Sequence, residues 1–149
     1  MRLRVIFLLA LIGTFILDQG IKDLFVSGYN WQGKCFSLEL HYNTGVAFSF
    51  FASLGTYLKW IQGALIAGIA LYLFASRMVW EYPLMLGMLL GAAGSNLYDR
   101  FIHPGVVDFF AWHCGFDYAV FNYADVVIDL AIGWILLKSF LEYRREKRH

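Results

Sequence analysis

Residues 5–17 read VIFLLALIGTFIL, a strongly apolar run without a charged residue that ends where Asp18 and Gln19 follow. A helix that crosses a membrane needs about 20 mainly apolar residues, and this run with its flanks reaches that length. Arg2 and Arg4 precede it, as basic residues precede the apolar core of a secretory signal peptide. No small-x-small cleavage site follows, so we expect a retained transmembrane helix rather than a signal peptide.

Three more segments of the same kind occur further along the chain. The protein is 60% hydrophobic and only 15% charged, whereas a soluble domain is nearer half apolar and a quarter charged. The four predicted helices cover approximately residues 4–26, 57–76, 82–98 and 122–141, and the linkers between them cover 27–56 and 101–121. The sequence therefore predicts an all-α membrane protein with four transmembrane helices, forming a single domain over residues 1–149.

The basic residues predict how the helices are oriented. An even number of helices places both termini on one side, and eight of the twelve Lys and Arg residues fall there. The other four are Lys22, Lys34, Lys59 and Arg100. Basic residues favour the cytoplasmic side, so both termini are expected in the cytoplasm. The net charge of +1 gives no reason to expect nucleic acid as a partner.

The two long linkers fall on the opposite, outer side. In the first, Leu38, Leu40 and Tyr42 alternate with polar residues, and Asn43-Thr44-Gly45 supplies turn chemistry. A second alternating stretch at 46–51 completes a predicted β-hairpin. The second linker is rich in aromatic residues, which favour the membrane–water interface. We expect it to lie along the surface as a helix or loop.

Polar and ionisable side chains gather at the outer ends of the helices. Such groups are costly at membrane depth and usually face the bundle interior or a wet cavity. Helical spacing places them in three groups: Asp18 with Lys22; Asn96, Asp99 and Arg100; and Asn122, Asp125 and Asp129. A simple ion pair at a helix end remains open for the first group, and N-capping remains open for the third.

Asp108 has no such simple explanation, because four apolar residues flank it in Val106–Phe110 and burial without a partner is costly. Asp108 and Asp125 both fall at the outer boundary. Two nearby carboxyl groups in a low-dielectric site share one proton. The charged member can then deprotonate water while the protonated member polarises a scissile carbonyl. The arrangement would suit an aspartic peptidase dyad, which needs no metal and no cofactor, as one of the alternatives that the residues alone leave open.

Five motifs occur in order and together resemble the motif series of the lipoprotein signal peptidase (signal peptidase II) family. They are Leu17-Asp18-Gln19 with Lys22, Asn43-Thr44-Gly45-Val46-Ala47-Phe48-Ser49, Asn96-Leu97-Tyr98-Asp99-Arg100, Val106-Val107-Asp108-Phe109 and Phe121-Asn122-Tyr123-Ala124-Asp125. The resemblance implies an intramembrane aspartic endopeptidase of the bacterial inner membrane, with its active site facing the periplasm. It implies removal of signal peptides from prolipoproteins, with the cut just before a diacylglyceryl-modified cysteine. We expect it to act as a monomer in contact with membrane lipid.

The resemblance also implies roles for individual residues. Asp108 and Asp125 match the catalytic pair. The residues that match dyad-orienting or substrate-holding positions are Asn96, Asp99, Arg100 and Asn122, and those that match support positions are Asp18, Lys22, Asn43 and Gly45. The family also has an outer β-cradle and a surface helix over the site, where the two outer linkers fall here.

The chain departs from the family pattern at two places. The family usually has Gly-Gly-Ala-x-Gly before the asparagine of its third helix, whereas this chain has Gly91-Ala92-Ala93-Gly94-Ser95. The usual proline before the Phe-Asn-x-Ala-Asp motif is also absent, since the stretch reads Tyr118-Ala119-Val120. Both departures concern local packing and loop geometry, and neither removes a catalytic group.

Three other functions are open to the residues alone. Cys35 and Cys114 both fall on the outer side, as in a thiol–disulfide enzyme, although they form no CxxC pair and their bonding is open. An ion path could be lined by Asp18, Asp99, Asp125 and Asp129, but these acids cluster at one membrane face instead of running through it. A metal site could use His41, His103, His113 or the two cysteines, but we expect the histidines instead to be polar edges of an aromatic belt.

Overall fold

The computed structural model describes residues 1–45, 55, 57–116 and 119–147. Four long helices lie over the four apolar segments: α1 (Arg2–Val26), α2 (Tyr57–Ala75), α4 (Pro83–Ile102) and α5 (Tyr123–Glu146), with the single-turn α3 (Met78–Glu81) between α2 and α4. Three short strands, β1 (Trp31–Gln32), β2 (Phe36–Asn43) and β3 (Val106–Trp112), form one sheet. The fold is thus rich in helix with a small antiparallel sheet, which refines the all-α expectation.

Helices α1 and α4 pack with their backbones almost touching. A Cβ atom added to Gly87 would lie 2.6 Å from the carbonyl oxygen of Phe7, and one added to Gly91 would lie 3.1 Å from Cα of Leu11. Two glycines four residues apart form the small-xxx-small pattern that lets membrane helices approach closely. Phe7 faces Gly87 and Leu11 faces Gly91, so the two helices run in the same direction. Their C-terminal halves are therefore held side by side.

Helix α5 covers the neighbouring side of α4 through small residues. Ala92 of α4 and Ala124 of α5 are both 0% exposed, and Val127 completes the cluster. The N-terminal turn of α5 consequently lies against the C-terminal half of α4. The polar residues of α1, α4 and α5 thus meet at one end of the bundle.

The sheet lies at that same end, which we call the sheet end. The strand order is β1-β2-β3 and both pairings are antiparallel. His41 lies opposite Asp108 and Asn43 opposite Val106, after a shift in register that begins at Leu38. The second strand expected at 46–51 lies outside the described residues.

The prediction that the second linker lies along the surface as a helix or loop is wrong for Val106–Trp112, which forms β3. Val106, Val107 and Phe109 are all buried. The Phe109 ring stacks on Phe25 of α1 with centroids 4.4 Å apart. A short run of apolar residues buried on both faces is typical of a covered strand. This strand carries Asp108 into the protein interior.

The outside of the bundle is strongly apolar. Of the helices in the described residues, α1 and α2 are long and apolar enough to cross a membrane. Helices α4 and α5 have 20 and 24 residues, which is also long enough. Large apolar side chains such as Leu9, Leu65 and Leu130 are exposed to more than half of their full extent. A continuous apolar exterior marks a surface that contacts lipid or another protein.

Candidate active site

The first turn of α5 is fixed by a reciprocal capping box. Asn122 is the N-cap residue, and its Oδ1 accepts a hydrogen bond from the backbone N–H of Asp125 at 2.9 Å. In the reciprocal hydrogen bond, Oδ2 of Asp125 accepts from the backbone N–H of Asn122 at 3.1 Å. The capping interpretation of these two residues is therefore confirmed. This arrangement also holds the Asp125 carboxyl group at a defined position.

The same Asn122 side chain reaches Asp108. Its Nδ2 donates to Oδ1 of Asp108 at 2.7 Å and to Oδ1 of Asn96 at 3.0 Å. Asn122 is only 1% exposed, so these bonds form away from water. One asparagine thus bonds to both Asp108 and Asp125, and the structure brings together the two acids that the sequence pairs.

Asp108 is held from a second direction by the turn after β2. Asn43 donates from Nδ2 to Oδ2 of Asp108 at 3.1 Å, and its own Oδ1 accepts from the backbone N–H of Gly45 at 3.0 Å. Arg100 closes this turn, because its guanidinium donates to the backbone oxygens of Asn43 and Gly45. Among the described residues, the Nε of Arg100 has no hydrogen-bond partner.

The electrostatic setting of Asp108 favours its protonated form. Asp108 is 2% exposed. Burial, together with the nearby charge of Asp125, raises the pKa of Asp108 to about 7, against the opposing effects of Asn43, Asn122 and Lys22. A carboxyl group with a pKa near neutrality can hold a proton and release it during one reaction cycle.

A second cluster of charges lies directly behind the two acids. Lys22 Nζ lies 2.6 Å from Asp18 Oδ2, 2.7 Å from Asp99 Oδ2 and 2.7 Å from Asn96 Oδ1. Asn96 in turn donates from Nδ2 to Oδ1 of Asp125 at 2.9 Å. Lys22 is 1% exposed and both of its carboxylate partners are 0% exposed. Asp18 and Lys22 do form the expected ion pair, but a helix-end pair that extends to the membrane interface is wrong, since both residues are buried.

Sequence reasoning missed four contributors to the site. Gln19 Nε2 donates to Asp99 Oδ1 at 2.7 Å and to Ser95 Oγ at 2.8 Å, and Ser95 Oγ donates to Asp18 Oδ2 at 2.6 Å. The backbone N–H groups of Ala124 and Val107 also donate to this cluster. Ser95 stands at one of the noted departures from the family pattern, and that departure is the signal that could have found it.

Of the residues behind the alternative functions, Asp18, Asp99 and Asp125 belong to the site and the others lie outside its hydrogen-bond network. Asp129 is exposed and lies one turn beyond Asp125. Cys35 and Cys114 form a disulfide that links the loop before β2 to the segment after β3. His41 bonds to Glu39, whereas His113 bonds to Ser37. Within the described part of the chain, no group of three or more His, Cys, Asp and Glu side chains could hold a metal ion.

The fold is similar to that of two solved structures. It matches a solved structure described as a bacterial membrane enzyme with a TM-score of 0.80, covering 96% of this chain and 92% of that chain at 20% identity. A second structure with the same description matches with a TM-score of 0.72, covering 89% of this chain and 90% of that chain at 20% identity. At this identity the likeness concerns the fold alone.

The sequence comparisons identify the family. The family model described as Signal peptidase (SPase) II matches residues 10–141. A lipoprotein signal peptidase of Sulfurovum sp. (strain NBC37-1) is 57% identical over 140 residues, covering 94% of this chain and 96% of the relative. Another of Sulfurimonas denitrificans is 54% identical over 136 residues, covering 91% of this chain and 88% of the relative. This chain belongs to the signal peptidase II family, a family of peptidases, and the resemblance inferred from the five motifs is confirmed.

Proposed function

We propose that this protein is an intramembrane aspartic endopeptidase that removes signal peptides from diacylglyceryl-modified prolipoproteins, cutting just before the lipidated cysteine. Its membership of the signal peptidase II family supports the substrate class. The observation that carries the catalytic assignment is the double contact of Asn122, which binds Asp108 through its side chain and Asp125 through its capping bonds.

In the proposed mechanism, Asp108 and Asp125 share one proton before substrate binds. A water molecule attacks the scissile carbonyl carbon and gives a proton to the ionised carboxylate. The protonated carboxyl group donates its proton to the carbonyl oxygen at the same time. The tetrahedral diol then collapses, the C–N bond breaks, and the amine of the lipidated cysteine leaves with a proton from the dyad. The reaction requires neither a metal ion nor a cofactor.

The supporting residues have distinct proposed roles. Asn96 and Asn122 orient the two carboxyl groups through hydrogen bonds. Asn43 and Gly45 form the turn that holds Asp108, and Arg100 fastens that turn to α4. Asp18, Lys22 and Asp99 form the charged support behind the dyad.

We further propose a single domain over residues 1–149 that crosses the bacterial inner membrane four times, through α1, α2, α4 and α5. The basic residues favour cytoplasmic termini, which places the sheet end and the dyad at the periplasmic face. The apolar exterior of the helices supports contact with lipid. The precursor would enter laterally from the bilayer, and water would reach the dyad from the periplasm. The enzyme acts as a monomer.

The catalytic assignment is tested with Asp108→Asn and Asp125→Asn in detergent-solubilised protein supplied with a lipid-modified precursor. Each substitution keeps the shape of the side chain but removes the shared ionisation. We expect each to lower the cleavage rate by about 10²- to 10⁴-fold.

The matched control is Asp129→Asn, because Asp129 lies one turn further along α5 and is exposed. This variant is expected to cleave like the unaltered protein. Full activity in either dyad variant would overturn the assignment of the catalytic pair.

A further inference from the structure

Lys22 is a buried ammonium ion whose hydrogen-bonding capacity is fully used. Its Nζ lies 2.6 Å from Asp18 Oδ2, 2.7 Å from Asp99 Oδ2 and 2.7 Å from Asn96 Oδ1. A lysine ammonium group has three donors, so each is matched by one oxygen. An ion pair that only ends a helix at the interface would leave part of this group to water. Lys22 is 1% exposed.

Each carboxylate bound to Lys22 also holds the backbone next to one acid of the dyad. Asp18 Oδ1 accepts from the backbone N–H of Ala124 at 2.9 Å, and Ala124 directly precedes Asp125. Asp99 Oδ2 accepts from the backbone N–H of Val107 at 3.1 Å, and Val107 directly precedes Asp108. Asp18 and Asp99 therefore support the two acids in the same way, Asp18 through the backbone of α5 and Asp99 through the backbone of β3.

The third partner of Lys22 controls the direction of a hydrogen bond to the dyad. Asn96 could present either its oxygen or its nitrogen to Asp125, since the two ends of an amide have nearly the same shape. The ammonium group can only donate, so together with Nδ2 of Asn122 it holds Oδ1 of Asn96. The Nδ2 of Asn96 is then directed at Asp125 Oδ1, at 2.9 Å. A donor in this position favours the ionised form of a carboxylate.

We propose that Lys22 is a further positioning residue of the active site, and that through Asp18, Asp99 and Asn96 it helps to set the separation and the hydrogen-bond polarity of the two catalytic acids. This inference rests on the proposed roles of Asp108 and Asp125. Lys22 touches neither of them, and it acts by connecting α1 to the strand and the helix that carry them. The rival explanation is that the buried charges stabilise the fold alone.

Other charged groups also face the dyad. Helix α1 contributes Asp18 and Lys22, and α4 contributes Asp99 and Arg100. On β2, His41 lies opposite Asp108 in register and bonds to Glu39. Lys22 is the cation that bonds directly to both support carboxylates.

The test compares Lys22→Met with the double variant Asp18→Asn/Lys22→Met. The single change leaves two buried carboxylates without their cation, and it could prevent folding. The double variant keeps the net charge of the Asp18, Lys22 and Asp99 group at −1. The amide introduced in place of the Asp18 carboxylate retains an oxygen for the N–H of Ala124. The double variant therefore removes the connecting ammonium without adding uncompensated charge.

We expect the double variant, with rates normalised to folded protein, to lose about 10²-fold in kcat with an unchanged KM, because small displacements of reacting groups are that costly. We also expect the acidic limb of its pH–rate profile to move to higher pH, since Lys22 no longer holds Oδ1 of Asn96 and the Nδ2 donor that favours ionised Asp125 is less firmly directed at it. If Lys22 only stabilised the fold, the double variant would have a lower folded fraction, but the kcat and the pH–rate profile of its folded protein would be unchanged.

Lys59→Met is the control, because Lys59 is another lysine at the sheet end and packs over the ring of Phe101. Unaltered kcat and an unaltered pH profile in the folded double variant would overturn the inference. If Asp108→Asn and Asp125→Asn are inactive in the same assay, an unaltered double variant refutes only the proposed role of Lys22 and leaves the proposed function in place. If the dyad variants are active, the proposed function fails first.

Discussion

At the scale of single residues, Asn122 combines two roles that the sequence presents as alternatives. Its Oδ1 and backbone N–H form the capping box with Asp125, while its Nδ2 reaches Asp108 and Asn96. A side-chain amide carries an acceptor and two donors, so one residue can close a helix and join two acids. Spacing along α5 reveals the first role. The contact with Asp108 depends on β3, which precedes the helix, and the helical periodicity of α5 gives no indication of it.

The raised pKa of Asp108 predicts the pH dependence of cleavage. Burial and the charge of Asp125 raise this pKa to about 7, so the carboxyl group is protonated below that pH and loses its proton above it. The mechanism needs one protonated member of the dyad. We therefore expect kcat/KM to fall as pH rises through about 7, measured with a lipid-modified precursor in buffers of constant ionic strength. A rate that keeps rising from pH 7 to pH 9 would be inconsistent with this role.

At the scale of secondary-structure elements, the close packing of α1 on α4 aligns the charged residues behind the dyad. Gly87 and Gly91 permit this contact. Gly87→Ala would place a Cβ atom 2.6 Å from the Phe7 oxygen and 2.9 Å from the Ala10 Cβ. Because two backbones would have to separate, we expect a loss of about 1–3 kcal/mol in unfolding free energy and reduced cleavage. Thermal unfolding in detergent measures the first effect.

Gly94→Ala is the matched control for this prediction. Gly94 lies on the same helix, and a Cβ atom there would meet nothing within 4 Å. An alanine in the helix interior is favoured over glycine by about 0.5–1 kcal/mol, so this variant is expected to be at least as stable as the unaltered protein. Equal destabilisation of both variants would argue against the α1–α4 contact as the cause.

The elements differ in how far the sequence predicts them. Helices α1, α2, α4 and α5 lie over long apolar segments, where local composition is sufficient. Strand β3 is not predicted, because its main partner, β2, is more than 60 residues away along the chain, as in the pairing of Asn43 with Val106. Its apolar character alone is equally consistent with contact with the membrane surface. The buried position of Phe109 against α1 shows instead that the strand belongs to the core.

At the scale of the whole molecule, the candidate site is assembled from five elements, α1, β2, α4, β3 and α5, which are spread over most of the chain. Asp108 could be singled out because an acid among apolar residues needs a partner, whereas Asp125 is paired with it chiefly through the resemblance of the motifs. Gln19 could not be singled out, since a glutamine has ordinary structural uses, and Ser95 is marked only by the departure from the family pattern at that position. The backbone donors at Val107 and Ala124 have no sequence signature at all. Only the packing of α1, α4, α5 and β3 reveals their contribution.

The central claim is that this chain cuts prolipoproteins at the lipidated cysteine. The most direct test incubates the purified protein with one precursor in two forms, with and without the diacylglyceryl group, and maps the products by mass spectrometry. The account predicts a single cut immediately before the modified cysteine, and no comparable cut in the unmodified form. A cut at another bond, equal cleavage of both forms, or no cleavage of the modified precursor would contradict it.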